Sequence, residues 1–188
     1  MSRRRETVYF EEPGKANTGE ALRLARERAE ELGIRSVVVA SSTGETGAEA
    51  SRVFKDFNLV VVTSVTGYAR PDEVRMRPEH RSMIEANGGR VVTAAHAFGG
   101  VGRAIHNKFG TIQADEVVAS VLRLFSEGFK VACEVACMAV DAGLIRTDEE
   151  VIAIGGSSGG ADTAVVVKPS NTHALFDMRV REIICKPR

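Results

Sequence analysis

Four short runs, Ser36–Ala40, Leu59–Ser64, Val91–Ala95 and Val151–Ile154, are apolar at successive positions rather than alternate ones. A strand with two apolar faces needs cover on both, which is the situation of a parallel sheet between helical layers. The segments between these runs have helical spacing. Ala21, Leu22, Ala25, Ala29 and Leu32 fall on one stripe that Gly33 closes. Helices are predicted from about Ala48 to Phe57, over Glu79–Ala86 before Asn87-Gly88-Gly89, and over Ala114–Ser126 with Val117, Val118, Val121, Leu122 and Phe125 inward. Val131–Gly143 is nearly all apolar, so that helix is expected to be buried on most sides and is a candidate for a subunit interface. Alternation of strand and helix implies right-handed crossovers. Val165–Lys168 and Val180–Cys185 have no helix between them and are expected to pair antiparallel. Thr7–Phe10 reads as a short extra strand. The expected fold is an α/β three-layer sandwich: a mainly parallel sheet plus an antiparallel edge hairpin. The 188 residues show no repeat or linker and read as one domain, with 1–6 a loose tail.

Composition removes several functional classes. Lys+Arg and Asp+Glu both number 25, whereas a general nucleic-acid binder needs a basic surface. Arg3, Arg4 and Arg5 form the only basic cluster and read as a solvated tail. No stretch reaches the ~18 apolar residues of a membrane span, and MSRRRETVYF lacks the apolar core of a signal peptide. Three cysteines cannot all pair internally, and Cys133 and Cys137 share a predicted helix. A reducing, cytoplasmic setting is expected. The cysteines read as small buried residues, without the partners of a zinc site.

Ligands of open parallel sheets bind beyond the carboxyl ends of the strands. Four such ends here carry glycines or hydroxyl side chains. Ser41-Ser42-Thr43-Gly44-Glu45-Thr46-Gly47 joins a buried strand to a helix start, where free N–H groups and the helix dipole suit a phosphate. Its hydroxyls exceed what capping requires. Thr63-Ser64-Val65-Thr66-Gly67 reads equally as a turn or a ligand loop, with Thr66 and Gly67 the binding candidates. In HAFGGVGR, His96 reads equally as a ligand contact or a cap on the sheet edge, and Phe98 as a core aromatic or a ring-stacking one. There is no true GxGxxG dinucleotide loop. Gly155-Gly156-Ser157-Ser158-Gly159-Gly160-Ala161-Asp162-Thr163 is flexible enough to wrap a ligand, with Asp162 and Thr163 facing a sugar or ring edge. Asn17 reads as a helix cap with Glu20 as its capping-box partner, and is also a binding candidate.

The remaining polar residues read as structural. His80, His106 and His173 lie in polar contexts, and the charges of 20–31 form a solvated face. Glu134, near the expected start of its helix, suits the dipole. No nucleophile, P-loop lysine or pair of catalytic carboxylates stands in a supporting context.

VVVASSTGETGAEASRVF and TDEEVIAIGGSSGGADTAVVVKP, in that order, resemble the carboxyl-terminal domain of pyruvate kinase. From about Thr7 to Arg188 the chain more closely resembles a stand-alone, mostly archaeal family of pyruvate-kinase-like α/β domain proteins, which YFEEPGKANT and VVTSVTGY also fit. The resemblance implies a phosphate pocket in which Ser41, Ser42, Thr43, Gly44 and Thr46 form the phosphate loop and Gly155–Gly160 the lid. It implies no pyruvate kinase activity, because 188 residues cannot hold a (β/α)₈ barrel as well. GGSSGG departs from the aromatic or Arg-rich lid of that pattern. The stand-alone family is linked to flavin mononucleotide (FMN), whose phosphate the hydroxyl loop would take and whose ring Phe98 or Tyr68 would stack on. The expected function is binding of a phosphorylated small molecule, FMN first, by a possible homo-oligomer with no nucleic-acid or membrane partner. The alternatives are a flavin-dependent oxidoreductase or phosphate-ester-processing enzyme using that pocket, and a regulatory subunit sensing a sugar phosphate.

Overall fold

The computed structural model describes residues 4–188; the part of the N-terminal tail in residues 1–3 lies outside the described residues. One sheet of seven strands runs through it: β1 (Val8–Phe10), β2 (Ser36–Ala40), β3 (Asn58–Thr63), β4 (Arg90–Thr93), β5 (Val151–Gly155), β6 (Thr163–Lys168) and β7 (Arg179–Pro187). Their order is β1-β7-β6-β5-β2-β3-β4. Only β6 runs against the rest: it pairs antiparallel with β5 and with β7, and every other pair is parallel. The expected antiparallel β6–β7 pair is present, with β1 added outside β7 as a parallel edge.

The continuous apolar runs explain the layers. Successive residues of β2 and β3 enter opposite cores. Val37, Val39, Leu59 and Val61 face α1 (Thr18–Leu32), α2 (Glu45–Val53) and α3 (Pro78–Ala86). Val38, Val60 and Val62 face α5 (Ala114–Arg123) and α6 (Glu127–Asp141). A short α4 (Val101–Phe109) packs on α5. The fold is therefore the three-layer sandwich that the sequence implies.

Four local expectations need correction. Helix α2 runs over Glu45–Val53 rather than from near Ala48 to Phe57; Gly44 is its N-cap, and Ser41, in the turn before it, accepts the Gly47 N–H at 2.9 Å. The Asn17–Glu20 capping box does not form. Asn17 donates to the Glu12 carbonyl at 2.7 Å, and Glu20 pairs with Arg23. The charged face of α1 is not wholly solvated, since Arg28 is buried and makes two 2.7 Å bonds to Glu182. Val117, Val121 and Phe125 point outward, not inward, while Val118 and Leu122 pack on the core.

Helix α6 is buried along most of its length, as its composition demands. Burial pushes the thiols of Cys133, Cys137 and Cys185 up to about 12, so all three stay protonated and unreactive near neutral pH. Among the described residues no helix is long and apolar enough to cross a membrane.

Candidate functional site

Strand β2 ends at Ala40 and α2 begins at Glu45, so four residues make the turn between them. Gly44 sits at φ +91°, and a Cβ there would run into Met76 and His80. Glycine is thus required twice, by conformation and by space. The Thr43 carbonyl is held by the Arg77 N–H at 3.1 Å and by His80 Nδ1 at 3.0 Å. The turn therefore faces its carbonyl into the protein. Among the described residues, the amides of Ser42, Thr43, Gly44, Glu45 and Thr46 make no hydrogen bond within the chain. Five adjacent free N–H groups at a helix N-terminus form an anion seat.

Basic residues flank this seat. Lys15 pairs with Glu45 at 2.6 Å and holds its carboxyl below the usual range, with His80 and Arg77 acting in the same direction. His80, taken from sequence as an isolated surface residue, is half-buried against the loop. Its only sequence signal was its place on the first turn of the helix after the long connection Val65–Arg77.

Lys15 belongs to the turn 15–17, which packs against the glycine-rich loop. Gly160 lies at φ +68°, with Lys15 Cα and Thr18 Oγ1 each 2.5 Å from where its Cβ would be. Thr18 Oγ1 accepts the Ala161 N–H at 3.0 Å. Asp162, fully buried, accepts from the Gly14 N–H at 2.9 Å, the Ser157 N–H at 3.0 Å and Thr163 Oγ1 at 2.8 Å. Its carboxylate is a clamp closing the loop onto the Gly14 turn, not the exposed ligand contact that the sequence suggested. Gly155 and Gly156 serve packing too. A Cβ at Gly155 would strike the Gly128 carbonyl, and one at Gly156 the Gly160 carbonyl. Only the tip, Ser158 and Gly159, is exposed, with Ser158 at φ +59°.

The other two loops form a separate cluster on the α6 side of the sheet. Thr66 and Gly67 are exposed in a turn where the Gly67 N–H bonds the Glu73 carbonyl at 2.9 Å. His96 accepts the Val65 N–H at 3.4 Å and stacks on Tyr68 with centroids 5.2 Å apart. The Arg103 guanidinium lies 5.3 Å from the same Tyr68 ring. Phe98 is buried in the core, so it offers no face to a ligand ring.

Behind His96 stands a pair that sequence reasoning missed. Lys130 and Glu134 are both buried and meet at 2.5 Å. Glu134 also accepts the Phe98 N–H at 3.0 Å and stands 3.8 Å from His96 Nδ1. Because α6 starts at Glu127, Glu134 lies mid-helix, and its role is to satisfy this lysine and loop rather than the dipole. The available signal was a Lys and a Glu four apart in an otherwise apolar helix. Burial lowers the His96 pKa; Glu134 opposes this, while Lys130 and Arg103 add to it. His96 is neutral at pH 7, as its acceptor role toward Val65 requires.

Two open depressions lie elsewhere. One of about 1120 Å³ is lined by four arginines (Arg4, Arg5, Arg28, Arg181) and four glutamates, which cancel. One of about 600 Å³ is lined by residues including Lys168 and Asn171. Neither includes a residue of the four loops.

The family model described as pyruvate kinase, alpha/beta domain, matches residues 20–167, a span that includes both the Ser41–Gly47 loop and the glycine-rich loop. The chain belongs to the pyruvate kinase alpha/beta domain family. Among solved structures it is similar to a pyruvate kinase from Cryptosporidium parvum, at 17% identity and a TM-score of 0.39. That match covers 78% of this chain and 22% of the pyruvate kinase, so the chain matches about a fifth of that enzyme's length. In this alpha/beta domain the two loops that share the family match are also joined in space, through Lys15 and Thr18.

Proposed function

We propose that the protein binds a phosphorylated small molecule, with the phosphate on the amides of Ser42–Thr46 at the N-terminus of α2. The observation that carries this reading is the row of five free amides beside Lys15, Arg77 and His80. Thr43 and Thr46 add hydroxyls to the same turn. A hydrogen bond to a charged group contributes about 1.5–3 kcal/mol, so a few of these account for a useful affinity.

FMN is the first ligand to test. Its phosphate fits the seat. Its ring has no vacant aromatic platform beside that seat, since Phe98 is buried and Tyr68 is already stacked on His96. The shared chemistry is therefore the phosphate, and a sugar phosphate is the competing ligand. The test is a titration of the folded protein with FMN, riboflavin and a sugar bisphosphate. The proposal expects at least one phosphorylated ligand to bind at least tenfold more tightly than its unphosphorylated counterpart. It expects that advantage to vanish in the double variant Thr43→Val, Thr46→Val. Equal binding of phosphorylated and unphosphorylated forms would overturn it.

A further inference from the structure

Helix α2 opens with a side chain that an anion seat does not need. Glu45, its first residue, sets a carboxylate beside the five free amides. An acidic residue in a first turn suits the helix dipole, but here it shares that place with an incoming phosphate. Lys15 meets Glu45 at 2.6 Å, with their side chains 67% and 56% exposed. An ion pair so open to water adds little to stability, so folding does not require it. The next residue points to a ligand independently. Thr46 is only 7% exposed, yet its hydroxyl has no hydrogen-bond partner among the described residues and still reaches solvent. Within the row of free amides, that hydroxyl is a donor held for an acceptor from outside the chain.

We propose that Glu45 is the specificity-determining residue of this seat and selects a phosphate monoester whose neighbouring carbons carry hydroxyl groups. The inference rests on the phosphate reading given above. A carboxylate has no donor and about four acceptor positions. Among the described residues the one hydrogen bond of Glu45 is to Lys15, so most of its acceptor capacity is left for hydroxyls beside the phosphate. Such charge-assisted bonds are the strong ones, and acidic residues hold ribose hydroxyls in dinucleotide-binding folds by the same chemistry. The same carboxylate repels a second phosphate. Lys15 and Arg77 against Glu45 leave one positive charge in excess, with His80 beside it, which answers one phosphate group rather than two. Lys15 completes the device. Its backbone is fixed, since its Cα lies 2.5 Å from where a Cβ on Gly160 would be, while its exposed ammonium is free to turn from Glu45 to the phosphate. That turn releases the carboxylate to the hydroxyls. FMN, with its phosphate on a polyol chain, and sugar monophosphates belong to this class; a sugar bisphosphate does not.

The test is calorimetric titration of the full chain with inorganic phosphate, propyl phosphate and glycerol 3-phosphate, the last two differing only in their hydroxyls. Glu45 is exposed at a helix start, so Glu45→Ala keeps the fold, which circular dichroism checks. The wild type is expected to bind glycerol 3-phosphate about tenfold more tightly than propyl phosphate, the effect of one hydrogen bond to a charged group. In Glu45→Ala that preference should fall below about twofold, while inorganic phosphate binds more tightly than to the wild type because a like charge has gone. Glu45→Gln, which keeps an acceptor without the charge, should restore part of the preference. Phosphate probes that bind the wild type without a hydroxyl preference, or with one that survives Glu45→Ala, overturn the inference and leave the seat standing. Failure of all three probes to bind overturns the seat, and the inference with it.

Discussion

The loops after β2 and β5 are the two richest in glycine and hydroxyl groups, yet they use their polar atoms in opposite ways. The first turns its carbonyl inward onto Arg77 and His80 and leaves five amides free. The second closes on itself, with Asp162 taking the Gly14 and Ser157 amides and Gly160 pressed against the Lys15 turn. One loop leaves amides without a partner in the chain, and the other is closed around its own buried aspartate. A glycine-rich stretch therefore signals close approach of some group, and that group is as readily the protein's own backbone as a ligand.

Breaking the clamp should have the largest effect. Asp162→Ala leaves two part-buried amides without an acceptor, at about 1–3 kcal/mol for each unsatisfied group, while the Thr163 hydroxyl keeps Ser126 as a partner. A loss of about 2 kcal/mol or more in urea unfolding is expected, against less than 1 kcal/mol for Ser158→Ala at the open tip. Gly156→Val should follow, costing about 1–3 kcal/mol through its collision with the Gly160 carbonyl. This variant therefore reports on stability, and its unfolding midpoint should fall even without ligand.

The first loop should respond in the reverse sense. Thr43→Val with Thr46→Val should lower phosphate-ligand affinity at least tenfold in calorimetry while leaving the unfolding midpoint nearly in place. Lys15→Met, which removes an exposed cation already shared with Glu45, should cost a smaller factor, about three- to fivefold, and that factor should shrink as salt is raised.

The smallest effect concerns the second cluster and is read by pH. His96 has a lowered pKa in the folded chain because it is buried. The unfolded chain, titrating near 6.5, then takes up a proton first as pH falls. The stability that a neutral His96 contributes is thus present above about pH 6.5 and lost below it. His96→Gln should flatten the stability profile below about pH 6.5; an unchanged slope would assign the acid sensitivity to other groups.

The sheet was legible because its signal is local. Four residues such as Val37–Ala40 cannot be apolar on both faces without two helical layers, and those layers are present. The hydroxyl loop was legible for the same reason, as a turn between a buried strand and a helix start. What sequence hid was where polar groups find partners. Asp162 reads as a loop carboxylate until Gly14, 148 residues away, comes to meet it. Glu134 reads as a dipole partner until Lys130 and the Phe98 amide converge on it. His80 meets the Thr43 carbonyl only after α3 has docked. Helix α5 misled for another reason. Its apolar arc is wider than one core contact needs, so periodicity alone cannot say which part faces in.

The contrast between the two loops is tested most directly by amide shifts in a phosphate-ligand titration, using ¹⁵N-labelled protein with FMN and with inorganic phosphate. The account predicts saturable shifts centred on Ser42–Thr46 with both probes, and little change at the clamped amides of Ser157 and Asp162. Saturable shifts confined to Gly156–Gly160, with Ser42–Thr46 unmoved, would contradict it.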